Sequence, residues 1–343
     1  MFHIKIHGLI ASFLSVLLVL PVSAEPNQWQ HPLERQDYLN LPLVEVVPFV
    51  FKGELYVLEN WRDNWPWPDQ PSETAAKNYE MWIAHLSDGP ENYENRNYLA
   101  LAMGGRTLGK AFVWEDRVYV FGVNQTSGRT HVDMTWSDDL VNWTEPVNVF
   151  DSPAGQIFNV SVTRDDHGFV FLWETNGVGT PFTMCFGRVN SLTDSWDNHT
   201  IPGAQYGADK YTGGPAIFYE GGLYYLLYLE HLGDGRYETR ITRSRDLKNW
   251  QDAPRDRPFV TFDTSRRNIP LLEPHLSEIN ASDPGVAFYN GRVVVYYTGS
   301  NQLVAGDLQW ATFEGTKQEL FERFFDGVDM HDSDSTPLKH DGD

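Results

Sequence analysis

The chain has 343 residues, with 47 acidic against 26 basic side chains and a formal net charge of −21. A chain this acidic is not expected to bind nucleic acid, because binding to phosphates needs a basic face. Aromatic residues make up 14% of the chain and include 12 Trp, a composition that suits a β-sheet core and also ring stacking on a ligand.

The first 24 residues have the layout of a secretory signal peptide. Lys5 precedes an apolar run over residues 9–20, and small residues offer a cleavage site near Ala24. The apolar run is too short to span a bilayer and no later segment is apolar enough, so we expect a secreted or periplasmic protein that is not membrane-bound. The single cysteine, Cys185, lies among apolar residues, which favours a buried, inert thiol over a nucleophile.

A hairpin pattern then recurs five times along the chain: an apolar run, a turn, and a second apolar run. The turns lie near Gly53, Asp116, Gly168, Gly221 and Gly291, at intervals of 52 to 70 residues. Such near-regular repetition indicates a radial or stacked repeat. The five copies are VEVVPFVFKGELYVLENW (44–61), LGKAFVWEDRVYVFGVNQ (108–125), NVSVTRDDHGFVFLWETNG (159–177), GGPAIFYEGGLYYLLYLEH (213–231) and SDPGVAFYNGRVVVYYTGSNQ (282–302).

Third and fourth strands follow at least some of these hairpins. THVDMTWS and YETRITRS alternate in polarity and lead into two closely similar turns, SDDLVNW (137–143) and SRDLKNW (244–250). Four strands in each of five units, with almost no helical periodicity, predict an all-β fold, a five-bladed β-propeller. A pair of β-sandwiches is the alternative, but sandwiches do not require five similar hairpins.

The C-terminal segment reads differently from the repeats. TKQELFERFF predicts one short helix over 317–325, and the polar, acidic tail over 326–343 is expected to be disordered. We therefore expect a signal peptide over 1–24, one propeller domain over 25–325 and the tail.

Carboxylates recur at one end of the predicted hairpins. Because the two strands of a hairpin are antiparallel, the start of each first strand and the end of each second strand lie on the same face of a propeller. The candidate catalytic side chains at these positions are Glu45, Glu174, Glu230, His231 and Asp283. Carboxylates that repel one another can provide a proton donor beside an ionised base. Asp283 could instead be only a turn former, and the glutamates could simply solvate strand ends.

Other side chains near this face are candidates for holding a substrate. The basic ones could bind a uronate or a sulfate, or could form ordinary ion pairs. The aromatic ones could stack on pyranose rings. These candidate binding residues are Glu59, Trp61, Arg106, Lys110, Arg129, Asn159, Tyr211 and His275.

The layout and several motifs resemble glycoside hydrolases of families 43, 32 and 117. The resemblance lies in SDDLVNW and SRDLKNW, in the Ser-Asp-Pro of Asp283 and in GGPAIFYEGGLYYLLYLE (213–230). It implies a five-bladed propeller in which an Asp that begins a first strand acts as general base, a role that Asp283 matches locally although the family has its base in the first repeat. The family's general acid is the Glu of a Glu-Gly-Pro, where this chain has Gly213. Glu174, Glu230 and His231 are the candidate replacements, and family 117 offers a precedent for a His acid.

These observations favour an exported enzyme that hydrolyses oligosaccharides or polysaccharides. A uronate-oligosaccharide lyase or dehydratase, and a non-catalytic sugar-binding propeller, remain the alternatives. The sequence contains no metal-binding motif and requires no cofactor, although an axial cation such as calcium, held by carbonyls and waters, would leave no trace in it.

Overall fold

The structure, a computed structural model, describes residues 29–36, 38–39, 41–61, 79–179, 182–265, 277–300 and 307–330. The predicted signal peptide and the tail beyond residue 330 lie outside these ranges. The strands are, in chain order, β1 (Glu34–Arg35), β2 (Val47–Phe51), β3 (Glu54–Trp61), β4 (Glu80–His85), β5 (Asn97–Gly104), β6 (Arg106–Trp114), β7 (Arg117–Asn124), β8 (His131–Ser137), β9 (Val147–Asp151), β10 (Ile157–Asp165), β11 (Gly168–Thr175), β12 (Thr183–Val189), β13 (Thr200–Tyr206), β14 (Thr212–Glu220), β15 (Leu223–Gly233), β16 (Arg236–Ser244), β17 (Trp250–Asp252), β18 (Ser282–Tyr289), β19 (Arg292–Thr298) and β20 (Leu308–Glu314).

These strands form five antiparallel sheets of four strands each, which confirms the predicted five-bladed propeller. Blades 1 to 4 take consecutive strands: β2–β5, β6–β9, β10–β13 and β14–β17. Blade 5 combines β18, β19 and β20 with β1 from the other end of the chain. Glu34 pairs with Thr312 and Arg35 with Ala311, so the ring is closed by a two-residue strand. Closure of this kind leaves only short sheet edges.

Two outer turns in blades 2 and 4 share one hydrogen-bonding pattern, as their similar sequences predict. In blade 2, Ser137 Oγ accepts from the Leu140 N–H at 2.8 Å, and Trp143 Nε1 donates to the Leu140 carbonyl at 3.1 Å. In blade 4, Ser244 and Trp250 make the same bonds to Leu247. Both leucines are buried with positive φ, so each turn inserts an apolar side chain between neighbouring blades.

The first strands of all five blades surround the axis. A cavity of about 290 Å³ is lined by residues from β2, β6, β10, β14 and β18, and it forms an axial channel. At the start of four of these strands one residue has a left-handed backbone: φ is +54° at Glu45, +59° at Leu108, +52° at Gly214 and +55° at Asp283. Left-handed backbone is costly for residues other than glycine and is worth examining as a sign of function.

The predicted C-terminal helix is confirmed as α1, Lys317–Arg323. It begins with a capping box, in which the Thr316 side chain accepts from the Glu319 N–H and the Glu319 side chain accepts from the Thr316 N–H. Its buried residue Phe321 packs on Phe218 and Tyr225 of blade 4. Within the described ranges, no helix is long and apolar enough to cross a membrane.

Candidate active site

A pocket of about 340 Å³ lies at one mouth of the axial channel, and every blade contributes to its lining. Three of the five predicted catalytic residues, Glu45, Glu174 and Asp283, line this pocket. The predicted binding residues Arg129, Asn159 and Tyr211 line it as well. The convergence follows from the topology, because hairpins that radiate from one axis bring equivalent strand ends to a common point.

Glu174 is the carboxyl group that blade 3 contributes to the pocket. It lies near the end of β11 and is buried. Its Oε2 accepts hydrogen bonds from Asn159 Nδ2 at 2.9 Å and from the Gly214 N–H at 3.1 Å. Burial, together with the charges of Asp283 and Glu45, outweighs these two bonds and raises the pKa of Glu174 to about 8. Glu174 is therefore mostly protonated at neutral pH.

The proton of the neutral acid belongs on Oε1 of Glu174, since both hydrogen bonds go to Oε2. Oε1 lies 3.4 Å from the position that a Cβ of Gly213 would occupy. Gly213 is the residue that stands where the resemblance implies a glutamate acid. The carboxyl group of Glu174, which comes from blade 3, thus faces the place that such a side chain would use.

Asp283 enters the same space from blade 5. Ser282 Oγ donates to Asp283 Oδ2 at 2.6 Å, and the buried Asn280 donates to Ser282 Oγ at 3.0 Å. Oδ1 of Asp283 lies against Gly214, where any Cβ would overlap it. Gly214 has a positive φ as well, so its missing side chain serves both the backbone conformation and the close approach of the aspartate.

Glu174 and Asp283 are close because both contact Gly214. The Gly214 N–H lies 3.1 Å from Oε2 of Glu174, and a Cβ on the same residue would overlap Oδ1 of Asp283. The span from N to Cβ within one residue is about 2.5 Å, so the two carboxyl oxygens are no more than about 8 Å apart. This separation lets both groups reach one glycosidic bond.

Glu45 occupies the equivalent position in blade 1, and its backbone is held by a neighbouring side chain. Asn60 Nδ2 donates to the Glu45 carbonyl at 2.8 Å, while Asn60 Oδ1 accepts from the Gly109 N–H at 3.1 Å. Asn60 thereby connects the starts of the first strands of blades 1 and 2. The sequence pattern placed this asparagine at a strand end but did not reveal its connecting role.

Lys110 lies behind the carboxylates rather than in the pocket lining. It lines the axial channel, and its ammonium group interacts electrostatically with Glu45, Asp283 and Glu174. Burial lowers the pKa of Lys110, and the three carboxylates oppose that shift. We predicted that Lys110 contacts the substrate directly. The structure instead places it beneath the pocket carboxyl groups, in the lining of the axial channel.

An aromatic wall and one arginine complete the pocket. Phe158 packs against Phe182 with ring centroids 4.6 Å apart, and Phe182 packs against Tyr211 at 5.4 Å. The guanidinium of Arg129 lies over the Phe158 ring at 5.5 Å. Burial and nearby charges raise the pKa of Tyr211 to about 12. Tyr79, Phe158 and Phe182 also line the pocket, although the sequence pattern did not indicate them. Tyr79 and Phe182 directly precede the third strands β4 and β12, whose starts the hairpin pattern does not mark.

Two predicted proton donors lie outside the pocket. Leu229 lines the pocket, so the alternation of the strand turns Glu230 to the opposite face of the sheet. There Glu230 accepts from Arg255 at 2.6 Å and lies 3.4 Å from Arg240. His231 packs against Tyr237 at 4.8 Å and also contacts Tyr211, behind the aromatic wall. The predicted placement of Glu230 and His231 at the pocket is therefore corrected.

Glu59 and Trp61 are buried structural residues and not parts of the pocket. Glu59 pairs with Arg96 at 2.7 Å and accepts hydrogen bonds from Trp61 Nε1, Tyr93 and Tyr98. The Trp61 side chain is 1% exposed, so its ring is not open to a sugar. The sequence predicted their strand end correctly, but the strand's outer neighbours cover both side chains.

The remaining sequence predictions concern Arg106, His275 and Cys185. Arg106 is bound to Asp133 at 2.7 Å and to the Gly104 carbonyl, and it does not line the pocket. His275 lies outside the described residues. Cys185 is buried as predicted, and burial raises the pKa of its thiol to about 11, which keeps the thiol protonated and inert.

No group of three or more His, Cys, Asp or Glu side chains in the described ranges is arranged to hold a metal ion. The axial cation that carbonyls and waters could hold stays a prediction.

Comparison with known proteins finds similar folds among solved structures but no match by sequence. No sequence profile of a known family matches the chain, and no curated protein matches it. Among solved structures, the family 62 α-L-arabinofuranosidase catalytic domain of Coprinopsis cinerea superposes with a TM-score of 0.61 at 13% identity, over 82% of this chain and 97% of that one. The α-L-arabinofuranosidase of Podospora anserina, solved with cellotriose, gives 0.58 at 12% identity, over 82% and 94%.

A xylan β-1,4-xylosidase from Bacillus halodurans superposes with a TM-score of 0.52 at 15% identity, over 83% of this chain and 54% of the xylosidase. Solved structures of family 43 enzymes match with similar scores. These likenesses show a shared fold. The chain has the five-bladed β-propeller architecture of family 43 and family 62 glycoside hydrolases, with three carboxyl groups at one mouth of the axis.

Proposed function

We propose that this protein is a glycoside hydrolase in which Glu174 is the proton donor and Asp283 is the catalytic base. The observation that carries the proposal is the pairing of two carboxyl groups whose surroundings differ. Glu174 is buried with a pKa raised to about 8, while Asp283 is half-buried on the other side of Gly214. Two neighbouring carboxyl groups in such different surroundings are typical of acid and base pairs.

The geometry supports separate roles for Glu174 and Asp283 at one glycosidic bond. Oε1 of Glu174 gives its proton to the departing glycosidic oxygen, which makes that oxygen a better leaving group. Asp283 activates a water or stabilises positive charge at the anomeric carbon. Lys110 interacts electrostatically with both groups, and Glu45 interacts with Glu174. The aromatic wall of Phe158, Phe182 and Tyr211 offers ring faces for a sugar.

The first experiment measures the mass of products that the protein, without its predicted leader, releases from neutral, uronate-containing and sulfated oligosaccharides. Products whose summed mass exceeds that of the substrate by one water establish hydrolysis. Cleavage without water gain, or loss of water without cleavage, contradicts the proposal and favours a lyase or dehydratase. No product from the panel favours a binding protein.

Leaving-group dependence then tests the role of Glu174. A dinitrophenyl glycoside departs without protonation, so Glu174→Gln should retain most activity on it and lose about 100-fold or more on an oligosaccharide. Asp283→Asn should lose activity on both substrates. Glu230→Gln is the matched control, because it removes a buried glutamate that faces away from the pocket. Equal losses by Glu174→Gln on both substrates would contradict the assignment of the acid.

We also propose that the enzyme acts after export, as its predicted leader implies. The N-terminal sequence of the protein recovered from the medium or periplasm tests this, with a mature start near Glu25 as the expected result.

A further inference from the structure

Resting on the proposed function, we infer that the substrate carries a carboxylate beside the scissile bond, and that Arg129 binds it. The substrate class is thereby a uronic-acid-containing glycoside rather than a neutral one. Arg129 is half-buried in the pocket lining, on the same wall as Phe158 and Asn159.

The charge pattern of the protein makes Arg129 unusual. Acidic residues outnumber basic ones by 47 to 26, so a basic side chain readily finds a carboxylate partner. Most arginines in the described part of the chain do so, for example Arg106 with Asp133 and Arg188 with Asp165. Arg129 instead donates from Nε to the neutral amide oxygen of Gln125 at 3.0 Å. Its Nη1 and Nη2 make no hydrogen bond or ion pair with any described residue.

The other basic candidates near this face are already engaged. Arg106 is tied to Asp133, and Lys110 is buried beneath the carboxylates. Lys210 donates to Asp252 at 3.0 Å and to Tyr206 at 2.7 Å, and it does not line the pocket. Of these four basic residues, Arg129 alone lines the pocket.

The backbone holds Arg129 in a strained but well-fixed position. Its φ is +66°, which costs about 1–2 kcal/mol for a residue with a side chain. Its carbonyl accepts from the Ile157 N–H at 2.7 Å, and its N–H donates to the Asn124 carbonyl at 3.1 Å. A residue with a strained backbone in the lining of a pocket is a candidate for a binding role. The two parallel donors of a guanidinium match a planar carboxylate.

The electrostatics of the pocket permit an anion. Burial raises the pKa of Glu174, so this carboxyl group contributes less negative charge to the pocket whose lining includes Arg129. A substrate carboxylate that pairs with Arg129 therefore meets less repulsion from Glu174 than it would from an ionised glutamate. The net charge of −21 disfavours long polyanions, so one carboxylate next to the bond that is cleaved fits better than a run of them.

Calorimetric titration of the Glu174→Gln protein tests the inference without turnover. The ligands are short oligosaccharides that contain glucuronic or galacturonic acid, each compared with its neutral methyl ester. We expect the acid to bind at least tenfold more tightly than the ester, and less so as salt is added. A further Arg129→Gln change should abolish this preference, and Arg129→Lys should restore only part of it.

Arg117→Gln is the matched control, because Arg117 also lies over an aromatic ring, that of Trp136 at 3.7 Å, but pairs with Asp138 away from the pocket. It should leave the preference intact. Equal binding of acid and ester, or tighter binding of a sulfated oligosaccharide of the same size, overturns the inference. Hydrolysis is measured separately on the wild-type protein, so a failure of the proposed function is distinguishable from a failure of the Arg129 assignment.

Discussion

Replacing Glu174 with glutamine should stabilise the protein, and the gain should grow with pH. The folded-state pKa of Glu174 is raised from 4.5 to about 8, so folding favours the protonated form. Stability from this group is fully present below the unfolded pKa and is lost as the pH rises through about 8. Gln keeps the neutral shape, and its oxygen can still accept from Asn159 and from the Gly214 N–H.

The magnitude follows from the size of the shift. Each pKa unit corresponds to about 1.4 kcal/mol. The cost of keeping Glu174 protonated in the folded state accumulates between its unfolded pKa of 4.5 and its folded pKa of about 8, and nearly three of these pH units fall between pH 5 and pH 9. The difference in unfolding free energy between Glu174→Gln and wild type should therefore grow by about 4 kcal/mol over that range. Urea unfolding at pH 5, 7 and 9 measures it, because the midpoint multiplied by the denaturant slope gives the free energy.

Glu59→Gln provides a control of opposite sign. Glu59 is buried but paired with Arg96, and removing one partner of such a pair should destabilise the protein by about 3–5 kcal/mol at all three pH values. A pH-independent gap for Glu174→Gln, or a variant that loses stability relative to wild type at pH 9, would refute the conclusion that Glu174 is protonated in the folded protein.

Three further outcomes are expected. The value of kcat/KM on an oligosaccharide should fall about tenfold per pH unit above about pH 8, as Glu174 loses its proton, and a pH–rate profile without that alkaline limb would contradict its role. Lys110→Met should move the alkaline limb upward by about one pH unit or more, because a positive charge that favours ionised carboxylates is lost; an unmoved limb would exclude this influence. Gly214→Ala should lower kcat at least tenfold by displacing Asp283, whereas Gly222→Ala, also at positive φ but with open space around it, should cost only stability, as paired activity and urea measurements would show.

The fold was predictable because its signal is repeated. The five apolar hairpins, the similar SDDLVNW and SRDLKNW turns, and the helical segment TKQELFERFF are all local patterns, and local patterns are legible in a sequence. The gathering of Glu45, Glu174 and Asp283 at one mouth followed from the antiparallel geometry of the hairpins.

Glu230 and Glu59 lie outside the pocket because of the strand register and of contacts with distant segments, neither of which the sequence pattern shows. A shift of one residue in strand alternation decides that Leu229 faces the pocket while Glu230 turns to Arg240 and Arg255. Glu59 pairs instead with Arg96, which lies just before β5, and no periodicity in the sequence reveals this contact. Partners distant in sequence decide whether a charged group is structural or available.

The left-handed backbone shared by Glu45, Leu108, Gly214 and Asp283 has a consequence for how propellers are compared. Blades 1, 2, 4 and 5 therefore share one backbone position that directs a side chain, and the residue type at that position varies between them. One substitution can add a carboxylate at such a position, and another can remove one, while the backbone conformation stays the same. Leu108 marks a point where blade 2 carries no charge. Functional groups in such rings are best matched by their angle around the axis and not by their order along the chain.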